Sequence, residues 1–305
     1  MKPVICIAGP TASGKSAYAV KLAESVGGEI INADALQVYS DLSVLSARPT
    51  ASEMGSIPHH LFGHVSGGTR YSTGQWLRDV EPIILDCLAR QRIPILVGGT
   101  GLYFKALFMG IADIPTPPEH VVKNTQDLLD TRGVTVLREV AQALDPVATA
   151  RVLGDDPQRL QRIVNVTKGS SRPLSVWQAD TRPTIPLRFA KYCVLTWPRD
   201  QLYARINKRY DTMLGDGGLK EAKRVFSKGY DPNLPVMKAI GLRQLGGYFS
   251  GHISMEEAIE DAKRESRRFA KRQMTWFRNQ PPRPEILIDA QDQERFLSDC
   301  IGVNF

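Results

Sequence analysis

The sequence predicts an α/β protein in which a parallel β-sheet is flanked by helices. Short apolar runs alternate with amphipathic helical patterns over about the first 100 residues, and this alternation is typical of β-α-β units. The polar residues Lys15, Asp34 and Thr100 lie at or just past the ends of the apolar runs. In open α/β sheets this is the end at which ligands bind.

Apolar runs and helical periodicity define the individual elements. The predicted strands are PVICIA (3–8), EIINAD (29–34) and IPILVGG (93–99). The predicted helices are SAYAVKLAESV (16–26), which stops at the glycine pair 27–28, and TGQWLRDVEPIILDCLARQR (73–92).

A proline-rich stretch, IADIPTPPEH (111–120), predicts a domain boundary. Residues 120–180 then show several helical patterns and no convincing strand, and the first two patterns are VVKNTQDLLDTRG (121–133) and TVLREVAQALD (135–145). The run KYCVLT (191–196) is predicted to return to the sheet, and a long helix is predicted over 255–280 until PPRP ends it. We therefore expect a catalytic core of residues 1–114 and 187–305 and a mostly helical insertion domain of residues 115–186.

Composition excludes several classes of protein. The chain has 305 residues, 42% hydrophobic and 23% charged, and no apolar stretch nears the roughly 18–20 residues of a membrane span. No signal peptide is expected, and the scattered cysteines 6, 87, 193 and 300 predict free thiols in a reducing cytoplasm. His59 and His60 lack a third ligand at a recognisable spacing, so no zinc site is expected.

Positive charge is concentrated in one segment. The net charge is +7, and residues 191–280 hold 18 Lys and Arg against 10 Asp and Glu. The long helix within this segment carries basic residues at helical spacing, interleaved near its end with Trp276 and Phe277. These basic residues are Lys263, Arg264, Arg267, Arg268, Lys271, Arg272 and Arg278. The pattern suits a nucleic-acid backbone, although a solvated helix face would look the same.

The motif GPTASGKS fits G-x-x-x-x-G-K-[ST], the phosphate-binding loop (P-loop), and it lies between a predicted strand and helix as that loop requires. Its residues are Gly9, Pro10, Thr11, Ala12, Ser13, Gly14, Lys15 and Ser16. Backbone amides and Lys15 would hold a phosphate, and the Ser16 hydroxyl suits Mg²⁺. The motif does not distinguish a nucleotide from another diphosphate or triphosphate.

Three further residues are candidates for chemistry, and each has a structural alternative. Asp34 either caps a helix or faces the P-loop as a Mg²⁺ ligand or general base. Thr100, after the glycines 98 and 99, belongs either to a tight turn or to a ligand contact. Arg209 either lies on a solvated surface or reaches the phosphates.

Ten segments in this order together resemble the tRNA dimethylallyltransferase (tRNA isopentenyltransferase) family of bacterial type. The segments are GPTASGKS, INADALQVY, HHL, YS, WLRDV, ILVGGTGLYFKAL, DPQRLQR, RINKRYDTM, MKAIGLRQL and AKRQMTWFR. The resemblance implies a P-loop NTPase-like core. It also implies transfer of a dimethylallyl group from dimethylallyl diphosphate to the exocyclic amine of the adenine 3′ of the anticodon, in tRNAs reading codons that begin with U.

The resemblance also implies site residues and partners. The P-loop would hold the diphosphate of an isoprenoid with Mg²⁺ on Ser16, Asp34 would act as general base, and Thr100 and Arg209 would complete the catalytic residues. The implied tRNA contacts are Asp34, Ala35, Leu36 and Gln37; Gln158, Arg159, Leu160, Gln161 and Arg162; Lys238, Ala239, Ile240, Gly241, Leu242 and Arg243; and Lys271, Arg272, Gln273, Met274, Thr275, Trp276, Phe277 and Arg278. We expect a cytoplasmic monomer that binds the anticodon stem-loop of tRNA and no membrane.

Three segments depart from the family's usual sequence pattern. Ala35 stands where serine is frequent, Leu242 where tyrosine is usual, and Arg48 where lysine is frequent. Three rival interpretations stay open at this stage: a small-molecule P-loop kinase, an adenylate isopentenyltransferase acting on free nucleotides, and a non-catalytic RNA-binding module. The basic segment favours tRNA over a free nucleotide, and an RNA-binding module leaves the P-loop unexplained.

Overall fold

The computed structural model describes residues 2–302, which divide into two compact units. The first contains the chain up to Phe108 and from Thr184 onward, and the second contains Met109–Pro183. The predicted boundaries were residues 115 and 186. The small differences follow from packing, since Ile114 joins the hydrophobic cluster of the second unit and Ile185 joins that of the first.

A six-stranded sheet forms the centre of the first unit, and all of its paired strands are parallel. The strands are β1 (Val4–Ala8), β2 (Gly28–Asn32), β3 (His59–His60), β4 (Ile93–Gly98), β5 (Ala190–Leu195) and β6 (Glu285–Leu287). Their order across the sheet is β3-β2-β4-β1-β5-β6. This arrangement confirms the predicted α/β class.

Helices account for most of the remaining described chain. They are α1 (Lys15–Val26), α2 (Ala51–Met54), α3 (Thr73–Ala89), α4 (Gly101–Met109), α5 (Glu119–Leu144), α6 (Pro146–Thr149), α7 (Pro157–Ser170), α8 (Leu174–Ala179), α9 (Arg199–Met213), α10 (Leu219–Phe226), α11 (Leu242–Phe249), α12 (Met255–Asn279) and α13 (Ala290–Ile301). Short 3₁₀ turns span Leu187–Phe189 and Pro235–Lys238, and a π-helical turn spans Leu214–Gly218. Among residues 2–302, no helix is both long and apolar enough to cross a bilayer.

The central strands are buried on both faces. Every residue of β1, β2 and β4 is buried, because helices cover the two sides of the sheet. Apolar side chains of the strands alternate between two clusters, one containing Trp76 and Phe104 and the other Tyr18 and Leu22. Since β1, β2 and β4 are adjacent and parallel, the residues that follow them meet at one edge of the sheet.

The second unit is helical and has its own core. Leu137 and Ala141 of α5 pack against Leu160 and Val164 of α7, and all four side chains are buried. The two helices that the sequence predicts on either side of Gly133 form one helical segment, broken at Gly133, whose φ of 79° is left-handed. Glycine adopts that conformation at little cost, which explains the break.

Several elements were not predicted individually from the sequence, and two short strands and the last helix are among them. Strand β3 has two residues and β6 has three, too short to show a period-2 pattern, and α13 follows β6 near the end of the chain. The strand predicted over 29–34 ends at Asn32, because Asp34 already belongs to the loop after β2. All four cysteines are free thiols and buried.

Candidate active site

The P-loop connects β1 to α1 in a conformation that its glycines permit. A Cβ at Gly9 would lie 2.4 Å from the carbonyl oxygen of Leu195, and Gly14 has a φ of 91°. The Lys15 ammonium donates to the carbonyl oxygen of Pro10 at 3.3 Å. The Ser13 hydroxyl is buried and has no hydrogen-bond partner among the described residues. An oxygen atom of a bound phosphate would satisfy that donor.

Three side chains outside the motif hold the P-loop in place. Gln273 of α12 accepts a hydrogen bond from the Thr11 amide at 3.2 Å and donates one to the carbonyl oxygen of Gly99 at 2.9 Å. Trp197 donates to the Ser13 carbonyl oxygen at 2.8 Å. Arg205 donates to the Ala12 carbonyl oxygen at 2.9 Å, and its guanidinium stacks 4.6 Å from the Trp197 ring centroid. Neither Trp197 nor Arg205 was predicted as a site residue, although Arg205 begins the family-like segment RINKRYDTM.

Lys15, Asp34 and Arg209 come together and influence one another electrostatically. Burial lowers the pKa of Lys15 to about 8, with Arg209 acting in the same direction and Asp34 opposing it. Burial also lowers the pKa of Arg209, against the opposing charges of Asp34 and Glu53. Two partly desolvated cations beside one another favour a bound anion, because its charge relieves their burial and mutual repulsion. The structure therefore places Arg209 at the site and not on a solvated surface.

Asp34 is fixed in the loop after β2 with one carboxylate oxygen unoccupied. The Asn32 side chain bonds the Asp34 amide at 2.9 Å and the Asp34 carbonyl oxygen at 3.0 Å. Asp34 Oδ1 accepts from the Leu36 amide at 3.0 Å, a local turn and not a helix cap. Asp34 Oδ2 has no hydrogen-bond partner within residues 2–302. A positioned carboxylate with a free oxygen can accept a proton.

The turn after β4 brings Thr100 to Asp34. The Thr100 hydroxyl accepts from the amide of Ala35 at 2.9 Å, and the Thr100 amide donates to the Ala33 carbonyl oxygen. A Cβ at Gly98 would lie 2.0 Å from the Ala33 oxygen, and one at Gly99 would lie 3.4 Å from Asp34 Oδ2. The two glycines thus allow the β2 and β4 loops to approach each other closely.

A cavity of about 330 Å³ opens beside the P-loop. Lys15 and Arg209 supply positive charge, and Glu53 is also part of the lining. The side chains of Val20, Ile30, Phe62 and Val97 give the cavity apolar walls. Its full lining is Lys15, Ser16, Ala17, Val20, Ile30, Gln37, Ala47, Pro49, Glu53, His59, Phe62, Val97 and Arg209. A cavity that is cationic on one side and apolar on the other suits a small ligand with an anionic head and a hydrocarbon body.

The predicted tRNA-contacting residues differ widely in exposure. The exposed ones are Gln158, Arg159, Arg162, Lys238, Arg243, Lys271, Arg272, Thr275 and Arg278. Partly exposed are Asp34, Ala35, Leu36, Gln161, Ile240 and Trp276. Residues 158–162 belong to the second unit, and the other predicted contacts belong to the first.

The remaining predicted contacts are buried in the free protein, and their contact with tRNA stays a prediction. Leu160, Ala239, Leu242, Met274 and Phe277 lie in hydrophobic clusters, and Gly241 is also buried. The Gln37 amide donates to the carbonyl oxygens of Ser46 and Ala47, and Gln273 is occupied by the P-loop. Contiguous segments carry both surface and core residues, because successive residues of a helix point to different sides.

A second polar cluster lies at the opposite end of β2. Glu29, His60 and Cys87 bring their ligand atoms within 4.8 Å of one another, a grouping that the sequence spacing does not show. Arg90 donates to both oxygens of Glu29 at 2.5 and 3.0 Å, and His60 bonds the same carboxylate at 2.8 Å. The carboxylate is thus satisfied by protein partners, which disfavours a metal ion there.

A P-loop on a parallel sheet, a Lys–Arg pair and a half-apolar cavity define the class: an enzyme that binds a diphosphate or triphosphate joined to an organic group. The family model described as IPP transferase matches residues 37–280, and the one described as isopentenyl transferase matches residues 2–60. The chain belongs to the IPP transferase family.

Individual relatives agree with this assignment along most of the chain. A tRNA dimethylallyltransferase of Maricaulis maris is 48% identical over 280 residues, covering 92% of this chain and 91% of the relative. One from Mesorhizobium japonicum is 46% identical over 304 residues, covering 99% and 94%.

Solved structures of related proteins have the same fold. A tRNA isopentenylpyrophosphate transferase of Bacillus halodurans aligns with a TM-score of 0.70 at 31% identity, covering 98% of this chain and 95% of that one. A eukaryotic dimethylallyltransferase acting on tRNA aligns with a TM-score of 0.84 at 26% identity, covering 98% and 77%. The resemblance stated from the sequence motifs is thereby confirmed.

Proposed function

We propose that this enzyme transfers a dimethylallyl group from dimethylallyl diphosphate to the exocyclic amine of the adenine 3′ of the anticodon, in tRNAs that read codons beginning with U. The observation that carries the proposal is the cavity beside the P-loop, cationic at Lys15 and Arg209 and apolar along its walls. The names of the relatives, tRNA dimethylallyltransferases, support the same reaction.

The donor would lie with its diphosphate at the P-loop. Lys15, Arg209 and the unpaired Ser13 hydroxyl would bind phosphate oxygens, while Val20, Phe62 and Val97 would contact the five-carbon group. An apolar wall also limits access of water, which would otherwise hydrolyse the donor. The apolar walls suit the hydrocarbon group of an isoprenoid better than the polar ribose of ATP.

The residues fit a magnesium ion. Ser16 is partly exposed on the first turn of α1, lines the cavity, and offers a hard oxygen ligand that has no protein partner within the described chain. When bound, Mg²⁺ would neutralise charge on the departing diphosphate. Lys15 and Arg209 would stabilise the same charge as the bond between carbon and oxygen breaks.

Asp34 would take up the proton of the acceptor. The new bond joins the allylic carbon of the donor to the adenine nitrogen, the donor's carbon–oxygen bond breaks, and diphosphate leaves with that electron pair. The nitrogen loses one proton, and Asp34 Oδ2 is an unoccupied oxygen that can accept it. Because a stacked adenine is inaccessible, the base must leave its stack to react.

Exposed cations of α12 would bind the tRNA backbone. Lys271, Arg272 and Arg278 are exposed, and Arg268 is held by Glu265 at 2.7 Å in the free protein. Replacing Arg268, Lys271 and Arg272 by alanine should weaken tRNA binding. The slope of log affinity against log salt concentration should become shallower by about 0.7–0.9 for each phosphate contact that is lost. An unchanged slope in a salt titration would contradict this contact surface.

We propose that the enzyme acts as a monomer in the cytoplasm.

A direct assay tests the proposal. Purified protein is incubated with bulk tRNA, Mg²⁺ and either labelled dimethylallyl diphosphate or γ-labelled ATP, with free AMP as an alternative acceptor. Prenyl label in tRNA, with none in AMP and no transfer from ATP, is the expected result. Phosphate transfer from ATP without prenyl transfer would indicate a kinase, and label only in AMP would indicate an adenylate-modifying enzyme.

A further inference from the structure

We propose that Glu221 is a positioning residue for the donor cavity, acting through the loop of residues 43–47 on Arg209. Glu221 lies on α10, outside the P-loop and outside the cavity lining. The proposal rests on the assignment of that cavity to an isoprenoid diphosphate.

The carboxylate of Glu221 is buried and accepts hydrogen bonds from the first three residues of the loop 43–47. Glu221 Oε2 accepts from the Ser43 amide at 2.8 Å, the Ser43 hydroxyl at 2.7 Å and the Val44 amide at 3.0 Å, and Oε1 accepts from the Leu45 amide at 2.8 Å. Three consecutive amides thus converge on one carboxylate that is 6% exposed. Such an arrangement binds an anion, and here the anion is part of the chain.

The far end of the same loop touches the donor site. The carbonyl oxygen of Ala47 accepts from Gln37 Nε2 at 2.9 Å and from Arg209 Nη2 at 3.4 Å. Ala47 and Pro49 also form part of the cavity lining. The Ala47 carbonyl is therefore one of the groups that hold the Arg209 guanidinium at the cavity.

The loop needs external support to keep this shape. Ala47 has a φ of 52°, a left-handed conformation that is unfavourable for alanine. Two backbone hydrogen bonds, Ala47 to Val44 and Arg48 to Ser43, close the turn locally. Since the Glu221 carboxylate binds the first three residues of the loop, it anchors the turn on which Ala47 depends.

The first test measures steady-state kinetics of Glu221→Gln. The amide nitrogen that replaces one oxygen cannot accept, so at least one loop amide loses its partner. We expect KM for dimethylallyl diphosphate, and the inhibition constant of inorganic diphosphate, to rise roughly tenfold, with KM for tRNA unchanged. An unchanged donor KM in the folded variant would overturn the proposal.

Asp145→Asn is the matched control. Asp145 is likewise a buried carboxylate that accepts from backbone amides, those of Ala148 at 2.9 Å and Ser175 at 2.7 Å, but it belongs to the second unit. This variant should lose stability and keep the wild-type KM for the donor. A similar rise of donor KM in both variants would mean that Glu221 contributes only to stability.

A double-mutant cycle separates positioning from general loosening. In an Arg209→Ala background, Glu221→Gln should change donor KM by less than about twofold, because its effect passes through Arg209. A second tenfold rise would show that Glu221 acts elsewhere. If Glu221→Gln does not fold, Ser43→Ala removes one of the four hydrogen bonds, and a smaller rise in donor KM is expected; no rise would overturn the proposal.

Failure of this inference can be distinguished from failure of the proposed function. If the wild-type protein transfers no prenyl group to tRNA, the proposed function is wrong. Calorimetric titration with inorganic diphosphate would still compare wild type with Glu221→Gln. Equal affinities in that titration would reject the role of Glu221 whatever the reaction is.

Discussion

The two ends of strand β2 carry carboxylates in opposite situations. Glu29, at the start of the strand, accepts hydrogen bonds from the two terminal nitrogens of the Arg90 guanidinium. It also shares a hydrogen bond with the His60 imidazole. The Asp34 carboxylate, two residues beyond the end of the strand, accepts one hydrogen bond, from the Leu36 amide. Its other oxygen has no partner among the described residues. Glu29 is buried, whereas Asp34 is partly exposed.

This difference distinguishes a carboxylate that stabilises the fold from one that can take part in catalysis. Arg90 lowers the pKa of Glu29 to about 2, so its charge is fixed and its lone pairs are occupied. Asp34 is held in position by its backbone, through Asn32, and its side chain stays available. Rigid backbone with a free side-chain oxygen is what proton transfer needs.

The largest expected effect is that of Asp34→Asn on turnover. Asparagine keeps an oxygen for the Leu36 amide but cannot accept the proton, so kcat should fall by about 10²–10⁴ with little change in melting temperature. Single-turnover transfer of labelled prenyl group to tRNA measures it, with thermal unfolding as the control for folding. Near-normal turnover would remove the general-base role and the contrast with Glu29.

Glu29→Gln should show the reverse pattern. The buried Glu29 carboxylate loses its charge-assisted hydrogen bonds, whereas Arg90 is about half exposed and can be solvated by water. The free energy of unfolding at neutral pH should therefore fall by about 1–3 kcal/mol, while turnover per folded molecule stays at the wild-type level. Because the folded-state pKa is depressed from 4.5 to about 2, this stability is present above pH 4.5 and is lost as pH falls towards 2.

Urea titrations of wild type and Glu29→Gln between neutral pH and pH 3 test this linkage. The difference in free energy of unfolding should shrink towards the acid end. A constant difference would mean that the glutamate contributes through packing and not through its charge.

Gln273 sharpens the comparison, because it lies at the site and yet is fully engaged like Glu29. Gln273→Ala removes the hydrogen bonds to Thr11 and Gly99, so donor KM should rise roughly tenfold while tRNA affinity is kept. Lys271→Ala, two positions away and exposed, should weaken tRNA binding without changing donor KM. Steady-state kinetics with each substrate varied in turn would show that the two variants affect different substrates. If Gln273→Ala lost tRNA affinity and kept its donor KM, the structural role of Gln273 would be contradicted.

The smallest expected effect is a pH dependence of donor binding. Burial disfavours the charged form of Lys15, so the free enzyme loses this proton as pH rises through about 8. Diphosphate binding favours the charged lysine, and kcat/KM for the donor should therefore decline above pH 8 and be flat below it. Lys15→Arg, which stays charged, should lose this alkaline decline. A wild-type profile that is level to pH 10 would exclude Lys15 as the titrating group.

The sequence predicted the parts of the site that depend on local pattern. The P-loop, Asp34 and Thr100 follow apolar strands, and parallel strands bring their carboxyl ends together, so their proximity could be expected. The roles of Gln273 and Glu221 and the cluster at Glu29 depend on contacts between residues far apart in the chain. No periodicity reports such contacts, and the two-residue strand β3, which positions His60, is too short to be recognised.

The family motifs indicate segments of the chain and do not assign a role to each side chain. Lys271 and Arg272 are exposed, Gln273 is turned inward to the P-loop, and Met274 is buried, although all four belong to one motif. Leu242, where the family usually has tyrosine, is fully buried, so that departure alters the core of this protein.

The unpaired hydroxyl of Ser13 implies a trade-off between stability and function. A buried donor without an acceptor costs about 1–3 kcal/mol in the free protein, and an oxygen of a bound ligand would remove that cost. A screen for thermostability alone would therefore favour Ser13→Ala and select against substrate affinity. Among proteins stabilised in this way, the loss of function would precede any loss of fold.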